Sequence, residues 1–182
     1  MTLAGVLPAV RNVKDFEKVL ESDMEYVIFL ETRLSQIGSL INYSKKRGKK
    51  VLVHADLIQG LKADEYGMEY LVNGLKVDGV LSTRANVISL AKKNKIIAIQ
   101  RLFALDSQAL NHNIQLIQKL KPDYIEVLPG IIPSILSEIS ERVSLPLIAG
   151  GLIRTEEDVR NALGSGAVAI TTSRSDLWHV KK

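Results

Sequence analysis

Two short segments near the C-terminus carry residue types that hold phosphate. Ala149-Gly150-Gly151-Leu152-Ile153 contains adjacent glycines, and the absence of a Cβ lets backbone amides approach an anion. Thr171-Thr172-Ser173 adds hydroxyls and leads into a stretch able to start a short helix, whose N-terminus favours negative charge. A glycine pair alone also makes a plain tight turn. Taken with its hydroxyl partner, the pair predicts a phosphate site at Gly150, Gly151, Thr172 and Ser173.

Other polar residues stand at the ends of apolar runs: Glu31 and Arg33, His54 and Asp56, Ser82, Thr83 and Arg84, Gln100 and Arg101. Glu126 lies inside the run Tyr124-Ile125-Glu126-Val127-Leu128, so it must face an interior and needs a partner. Arg101 and Arg84 suit either a ligand contact or a salt bridge to a neighbouring carboxylate. His54 with Asp56 suits proton transfer, a metal site, or a structural hydrogen bond under a loop. The spacing leaves these alternatives open. His112 and His179 read as surface or packing residues.

The elements that must position these groups follow from periodicity. Eight short, β-branched runs recur along the chain: 5–9, 26–30, 51–54, 79–82, 96–101, 124–128, 145–149 and 167–171. Between most of them, apolar residues fall at helical spacing, as in Val13, Phe16, Val19 and Leu20, or Leu110, Ile114, Ile117 and Leu120. Asp78-Gly79, Lys121-Pro122-Asp123 and Gly164-Ser165-Gly166 mark helix ends, and Thr155-Glu156-Glu157-Asp158 marks a capped, acidic first turn. The alternation predicts an α/β fold, a compact TIM-type (β/α)8 barrel with a parallel sheet, over residues 1–182 as a single domain. In such barrels, binding groups sit at the C-terminal ends of strands, where phosphate is often held after strands seven and eight.

At 182 residues and 46% hydrophobic, the chain can bury one substantial core. It has no cysteine, which excludes disulfides and thiol chemistry and suits a cytoplasmic location. No apolar run approaches the roughly 18 residues of a membrane span. Twenty-four basic against 20 acidic residues give a net charge of +4, compatible with a polyanionic partner. The densest basic run, Lys45, Lys46, Arg47, Lys49 and Lys50 around Gly48, is a weak candidate for RNA contact, since cations also stabilise a helix C-terminus. Lys92, Lys93 and Lys95 occupy a similar position after the next predicted helix but one.

Several stretches carry a family resemblance: HADLIQGLKADEYGMEYL from His54, DGVLSTR from Asp78, IAIQRLFALDSQAL from Ile97, KPDYIEVLPG from Lys121, LIAGGLIRTEEDVRNAL from Leu147 and TTSRSDLW from Thr171. Together they resemble the glycerol uptake operon antiterminator regulatory family over nearly the whole chain. The resemblance implies a glycerol-3-phosphate-responsive, RNA-binding transcription antiterminator acting on the leader mRNA of glycerol operons. It implies no catalysis, no cofactor and no metal-ligand residues, and leaves a divalent cation in the pocket and a homo-oligomer open. Position by position, its pattern points to His54, Asp56, Gly60, Asp64, Arg101, Glu126, Pro129, Gly130, Gly150, Gly151, Thr172 and Ser173. It carries no transferable RNA-binding motif.

On this reading, Gly150, Gly151, Thr172, Ser173 and Arg101 hold the phosphate, while Glu31, His54, Asp56 and Glu126 read the glycerol moiety. The alternative is a barrel enzyme acting on a small phosphorylated substrate, phosphodiesterase- or isomerase-like. Glycerophosphodiester phosphodiesterases place a histidine at the end of the first strand and Glu-x-Asp after the second. Here those places read Pro8-Ala9-Val10-Arg11-Asn12 and Glu31-Thr32-Arg33. No predicted strand clearly carries a Schiff-base lysine, and Lys62, in a loop, is the nearest.

Overall fold

A computed structural model describes residues 2–180. The strands are β1 (Gly5–Val10), β2 (Tyr26–Phe29), β3 (Thr32–Arg33), β4 (Lys50–His54), β5 (Ile58–Gln59), β6 (Gly79–Ser82), β7 (Ile97–Phe103), β8 (Tyr124–Leu128), β9 (Leu147–Gly150) and β10 (Ala167–Thr172). Eight of them close a parallel barrel in the order β1-β10-β9-β8-β7-β6-β4-β2. The eight predicted runs are these eight strands, with ends shifted by at most two residues. The remaining two, β3 and β5, form a small parallel ladder that the periodicity did not predict, pairing Thr32 with Ile58 and Arg33 with Gln59. Two-residue strands carry no period to detect.

The helices are α1 (Val13–Glu21), α2 (Leu34–Lys46), α3 (Glu65–Glu69), α4 (Ala85–Lys93), α5 (Ser107–Leu120), α6 (Pro133–Arg142) and α7 (Glu156–Gly164). A π-helical turn, Tyr70–Gly74, continues α3. After β10 the described residues form a 3-10 turn, Ser175–Leu177. No helix among the described residues is long and apolar enough to cross a membrane.

By its internal contacts the chain forms two compact units, Pro8–Ile99 and one made largely of the chain after Ile99. In the Pro8–Ile99 unit, β2 pairs with β4 in the register Ile28 to Leu52, and β4 pairs with β6 in the register Val53 to Val80. Ile28, Leu52, Leu81, Ile37, Ile41 and Ile88 are fully buried there. In the other unit, β9 lies between β8 and β10, with Glu126 opposite Ile148 and Thr171 opposite Gly150. Its core includes Ile125, Ile148, Ile170, Leu136 and Ile139. Strands covered on both faces read as near-continuous apolar runs, which made them legible.

Local caps fix the helices that follow the polar strand ends. Thr155 caps α7 by accepting from the Asp158 amide at 3.1 Å, and the Asp158 carboxylate accepts from the Thr155 and Arg154 amides, both at 2.9 Å. Asp106 caps α5 and Asp64 caps α3 in the same manner. Gly67, one turn into α3, has no room for a Cβ, which would lie 1.9 Å from the Lys62 carbonyl oxygen.

Candidate functional site

The phosphate-type loops belong to the unit formed after Ile99. β9 ends at Gly150, and β10 runs beside it to Thr172. Gly150 is required sterically: a Cβ there would meet Thr171 Oγ1 at 2.5 Å and Glu126 Oε1 at 2.7 Å. Gly130, after the cis Leu128–Pro129 bond, is equally constrained, since its Cβ would lie 2.6 Å from the Gly150 amide nitrogen. Its own amide donates to the Gly150 carbonyl at 2.6 Å. Gly151 adopts φ +75° and Leu152 φ +60°, so the chain turns sharply through left-handed backbone immediately after the strand. Gly151, Leu152 and Ser173 are exposed, while Thr171 and Thr172 are buried.

Beside this loop lies a buried charged group. Glu126, 1% exposed, accepts from Arg101 Nε at 2.6 Å through Oε2 and from the Thr171 hydroxyl at 2.5 Å through Oε1. The carboxylate is thereby neutralised and hydrogen-bonded at both oxygens, which is what a buried charge requires. Arg101 uses only Nε in this contact, and its two Nη groups make no hydrogen bond among the described residues. Of the alternatives open for Arg101, the salt bridge is present, and it still leaves the Nη edge as a donor.

The Thr172 hydroxyl, expected to face a ligand, has internal partners. Thr172 Oγ1 lies 3.4 Å from the Ile153 carbonyl and accepts from the Arg174 amide at 3.1 Å, and the Thr172 carbonyl accepts from Trp178 Nε1 at 3.0 Å. The hydroxyl therefore ties β10 to the preceding loop, and the indole locks the turn that presents Ser173. Arg174 itself is held by Asp176 through two hydrogen bonds, at 2.9 and 2.7 Å.

The Pro8–Ile99 unit carries the other predicted group. His54 ends β4 and is 3% exposed. Asp56 accepts from Ser82 Oγ at 2.7 Å, the Thr83 amide at 2.8 Å and Thr83 Oγ1 at 3.0 Å, with Arg84 Nε at 3.7 Å. Its carboxylate thus organises the loop from β6 into α4, a helix whose Arg84 cap supplies no side-chain bond. Glu31, more than half exposed, is paired with Arg11 at 2.6 Å on the rim of a cleft of about 100 Å³ that Phe16, Phe29 and Leu40 also line. Glu31, Asp56 and Glu126, expected to read hydroxyls of a ligand, each already have an internal partner. The sequence pattern signalled polar residues at or within strands, but not which neighbour each would satisfy. Among the described residues no group of three or more His, Cys, Asp and Glu side chains could hold a metal ion.

The basic run is also largely internal. Lys45 binds Asp78 at 3.1 Å, Lys49 is buried and donates to the Ser22 and Met24 carbonyls at 2.5 and 2.8 Å, and Lys50 pairs with Glu25. Burial holds Lys49 below the usual lysine pKa, the neighbouring Asp23 charge opposing the shift. Lys46 and Arg47 are exposed and in no ion pair among the described residues.

Comparison with known proteins gives the family. The crystal structure of the glycerol uptake operon antiterminator regulatory protein of Listeria monocytogenes strain 4b F2365 is similar at 48% identity, covering 97% of this chain and 96% of that one, with a TM-score of 0.94. A glycerol uptake operon antiterminator-related protein of Thermotoga maritima MSB8 is similar at 31% identity, over 98% of this chain and 100% of that one, with a TM-score of 0.87. An uncharacterized Escherichia coli K12 protein, YgcP, is 32% identical over 177 residues, 97% of this chain and 93% of its own length. Residues 6–178 match the family model described as glycerol-3-phosphate responsive antiterminator, and the chain belongs to that family.

Proposed function

We propose that this antiterminator regulator senses glycerol 3-phosphate and, with it bound, engages leader mRNA of a glycerol-use operon. The observation that carries the ligand reading is the Gly150-Gly151 turn: a strand end with no space for a Cβ, opening at φ +75° onto exposed backbone, beside the exposed Ser173. Backbone amides at Gly150 and Gly151 with the Ser173 hydroxyl fit a phosphate group. Thr172 contributes to this site through its main chain, because its hydroxyl is engaged.

Arg101 has two tasks in this reading. Its Nε neutralises Glu126, without which a carboxylate beside the glycine turn would repel the anion. Its Nη edge then supplies charge-assisted donors to the ligand. A closed set of internally satisfied carboxylates and a backbone phosphate cradle suit binding rather than turnover. Ligand binding shifts the population of the strand-end loops toward an RNA-competent state by no more than its differential affinity for the two states.

Retention of a terminator-bearing leader RNA by the protein, measured with and without glycerol 3-phosphate, tests the coupling. Ligand-dependent retention supports it. Turnover of glycerophosphodiesters or sugar phosphates in the presence of magnesium would replace the sensor with an enzyme.

A further inference from the structure

Three neighbouring turns in the Pro8–Ile99 unit lead into the N-terminal ends of β4, β6 and β7. They are joined through the backbone: the Asp78 amide donates to the Val51 carbonyl at 2.8 Å, and the Ile97 amide donates to the Asp78 carbonyl at 3.0 Å. Adjacent parallel strands lie about 4.8 Å apart, so side chains on these turns occupy one continuous face. The turns present Lys46 and Arg47, then Lys76, then Lys93 and Lys95, all exposed and none in an ion pair among the described residues. Two acidic groups beside these turns are occupied, Asp78 by Lys45 and the Val51 amide, and Glu25 by Lys50. Asp23, between α1 and β2, is the acidic neighbour of the buried Lys49, and Glu21 ends α1.

Two of these lysines sit where a lysine is conformationally unfavourable. Lys76 has φ +55° and Lys95 φ +57°, left-handed backbone that glycine adopts without penalty. Glycine fills the corresponding need at Gly48, φ +72°, in the turn before β4. The turn geometry alone therefore does not call for lysine at 76 or 95. Cation stabilisation of a helix end offsets part of the strain, yet it operates equally from the flanking helical positions that Lys92 and Lys93 already occupy.

We infer that Lys46, Arg47, Lys76, Lys93 and Lys95 form the surface that binds the phosphate backbone of RNA. This rests on the reading of the chain as an RNA-binding antiterminator and adds the place of contact. The dense run seen in the sequence contributes only its two exposed members, and the other cations come from separate turns.

The test is filter retention of a terminator-bearing glycerol-operon leader RNA across a salt series, with glycerol 3-phosphate present. The variant K46Q/R47Q/K76G/K95G removes four cations, two of them by substitutions that relieve left-handed strain, so its thermal midpoint should match or exceed that of the natural chain. A control, K14Q/K18Q/K62Q/R160Q, removes the same charge elsewhere. The inference predicts at least a roughly tenfold weaker affinity for the first variant and a salt slope less negative by about 2 to 3, at about 0.7 per lost phosphate contact on single strands. The control should keep the natural slope, and both should bind glycerol 3-phosphate as before. Equal loss in both variants, or none in the first while the natural chain retains RNA, overturns the surface. No retention by the natural chain overturns the RNA-binding reading itself, and the surface with it.

Discussion

Arg101 Nε stands 2.6 Å from Glu126 Oε2, and this pair is the charged support of the glycine turn at Gly150. Glu126 is 1% exposed and the Arg101 side chain 11%, so neither charge has water as an adequate substitute partner. Removing Arg101 alone leaves an uncompensated buried carboxylate. Arg101→Met should destabilise the fold by about 3–5 kcal/mol, whereas the double variant Arg101→Met with Glu126→Met should recover most of that loss. Chemical denaturation of both variants checks this, and additive losses would show that the two charges are not coupled.

Gly150 tests the packing around the same pair. Gly150→Ala brings a methyl to 2.5 Å from Thr171 Oγ1 and 2.7 Å from Glu126 Oε1, so the hydroxyl must abandon the carboxylate or the strand must shift. A stability loss of about 1–3 kcal/mol is expected from overpacking. Thermal unfolding with unchanged midpoint would contradict the contact.

The Thr172 and Ser173 hydroxyls should separate in function. Thr172→Val removes an acceptor for the Arg174 amide and should lower stability by about 1–3 kcal/mol. Ser173→Ala touches an exposed hydroxyl and should leave stability within about 0.5 kcal/mol while weakening glycerol 3-phosphate binding. Calorimetric titration alongside thermal melts distinguishes them. The reverse pattern would exchange their roles.

Asp56 should behave as a loop organiser. Asp56→Ala removes an acceptor that Ser82 and Thr83 share, and a destabilisation of about 1–3 kcal/mol should appear together with faster amide exchange at Thr83. Unchanged exchange at Thr83 would argue against this role.

Acid sensitivity follows from the caps. Amide donation from Arg154 holds the Asp158 carboxyl below its usual value of 3.8, and the Gly67 amide does the same for Asp64. A carboxylate whose folded pKa is depressed adds stability that is fully present above the unfolded value and is lost as pH falls through the folded one. Asp158→Asn should therefore flatten the stability profile below about pH 4 while lowering the plateau above it. A profile parallel to that of the natural chain would show that the cap does not titrate in this range.

The barrel was legible because its strands are buried on both faces and its helices repeat every 3.6 residues, as the match of Tyr124–Leu128 and Gly79–Ser82 to their runs shows. The glycine turn was legible from composition alone. What the sequence could not reveal was pairing. Nothing in the spacing says that Glu126 takes Arg101 and Thr171, that Asp56 takes Ser82 and Thr83, or that the Thr172 hydroxyl points to the Ile153 carbonyl. These are long-range hydrogen bonds, up to 45 residues apart in the chain, and they depend on strand register that only the closed sheet defines. The basic run shows the converse: local density suggested a surface, while long-range partners drew Lys45, Lys49 and Lys50 into the fold.

The most direct test of the central claim is calorimetric titration of glycerol 3-phosphate against the natural chain and Gly151→Val, with glycerol and inorganic phosphate as controls. Gly151 holds φ +75° with Leu128 Cδ2 3.2 Å from a notional Cβ, so valine both strains the turn and crowds the anion's approach. The account predicts binding of glycerol 3-phosphate, none of glycerol, and at least about tenfold weaker binding by Gly151→Val, about 1.4 kcal/mol. Undiminished affinity in the variant with a native melting curve would contradict the placement of the phosphate, and no binding by the natural chain would contradict the sensor.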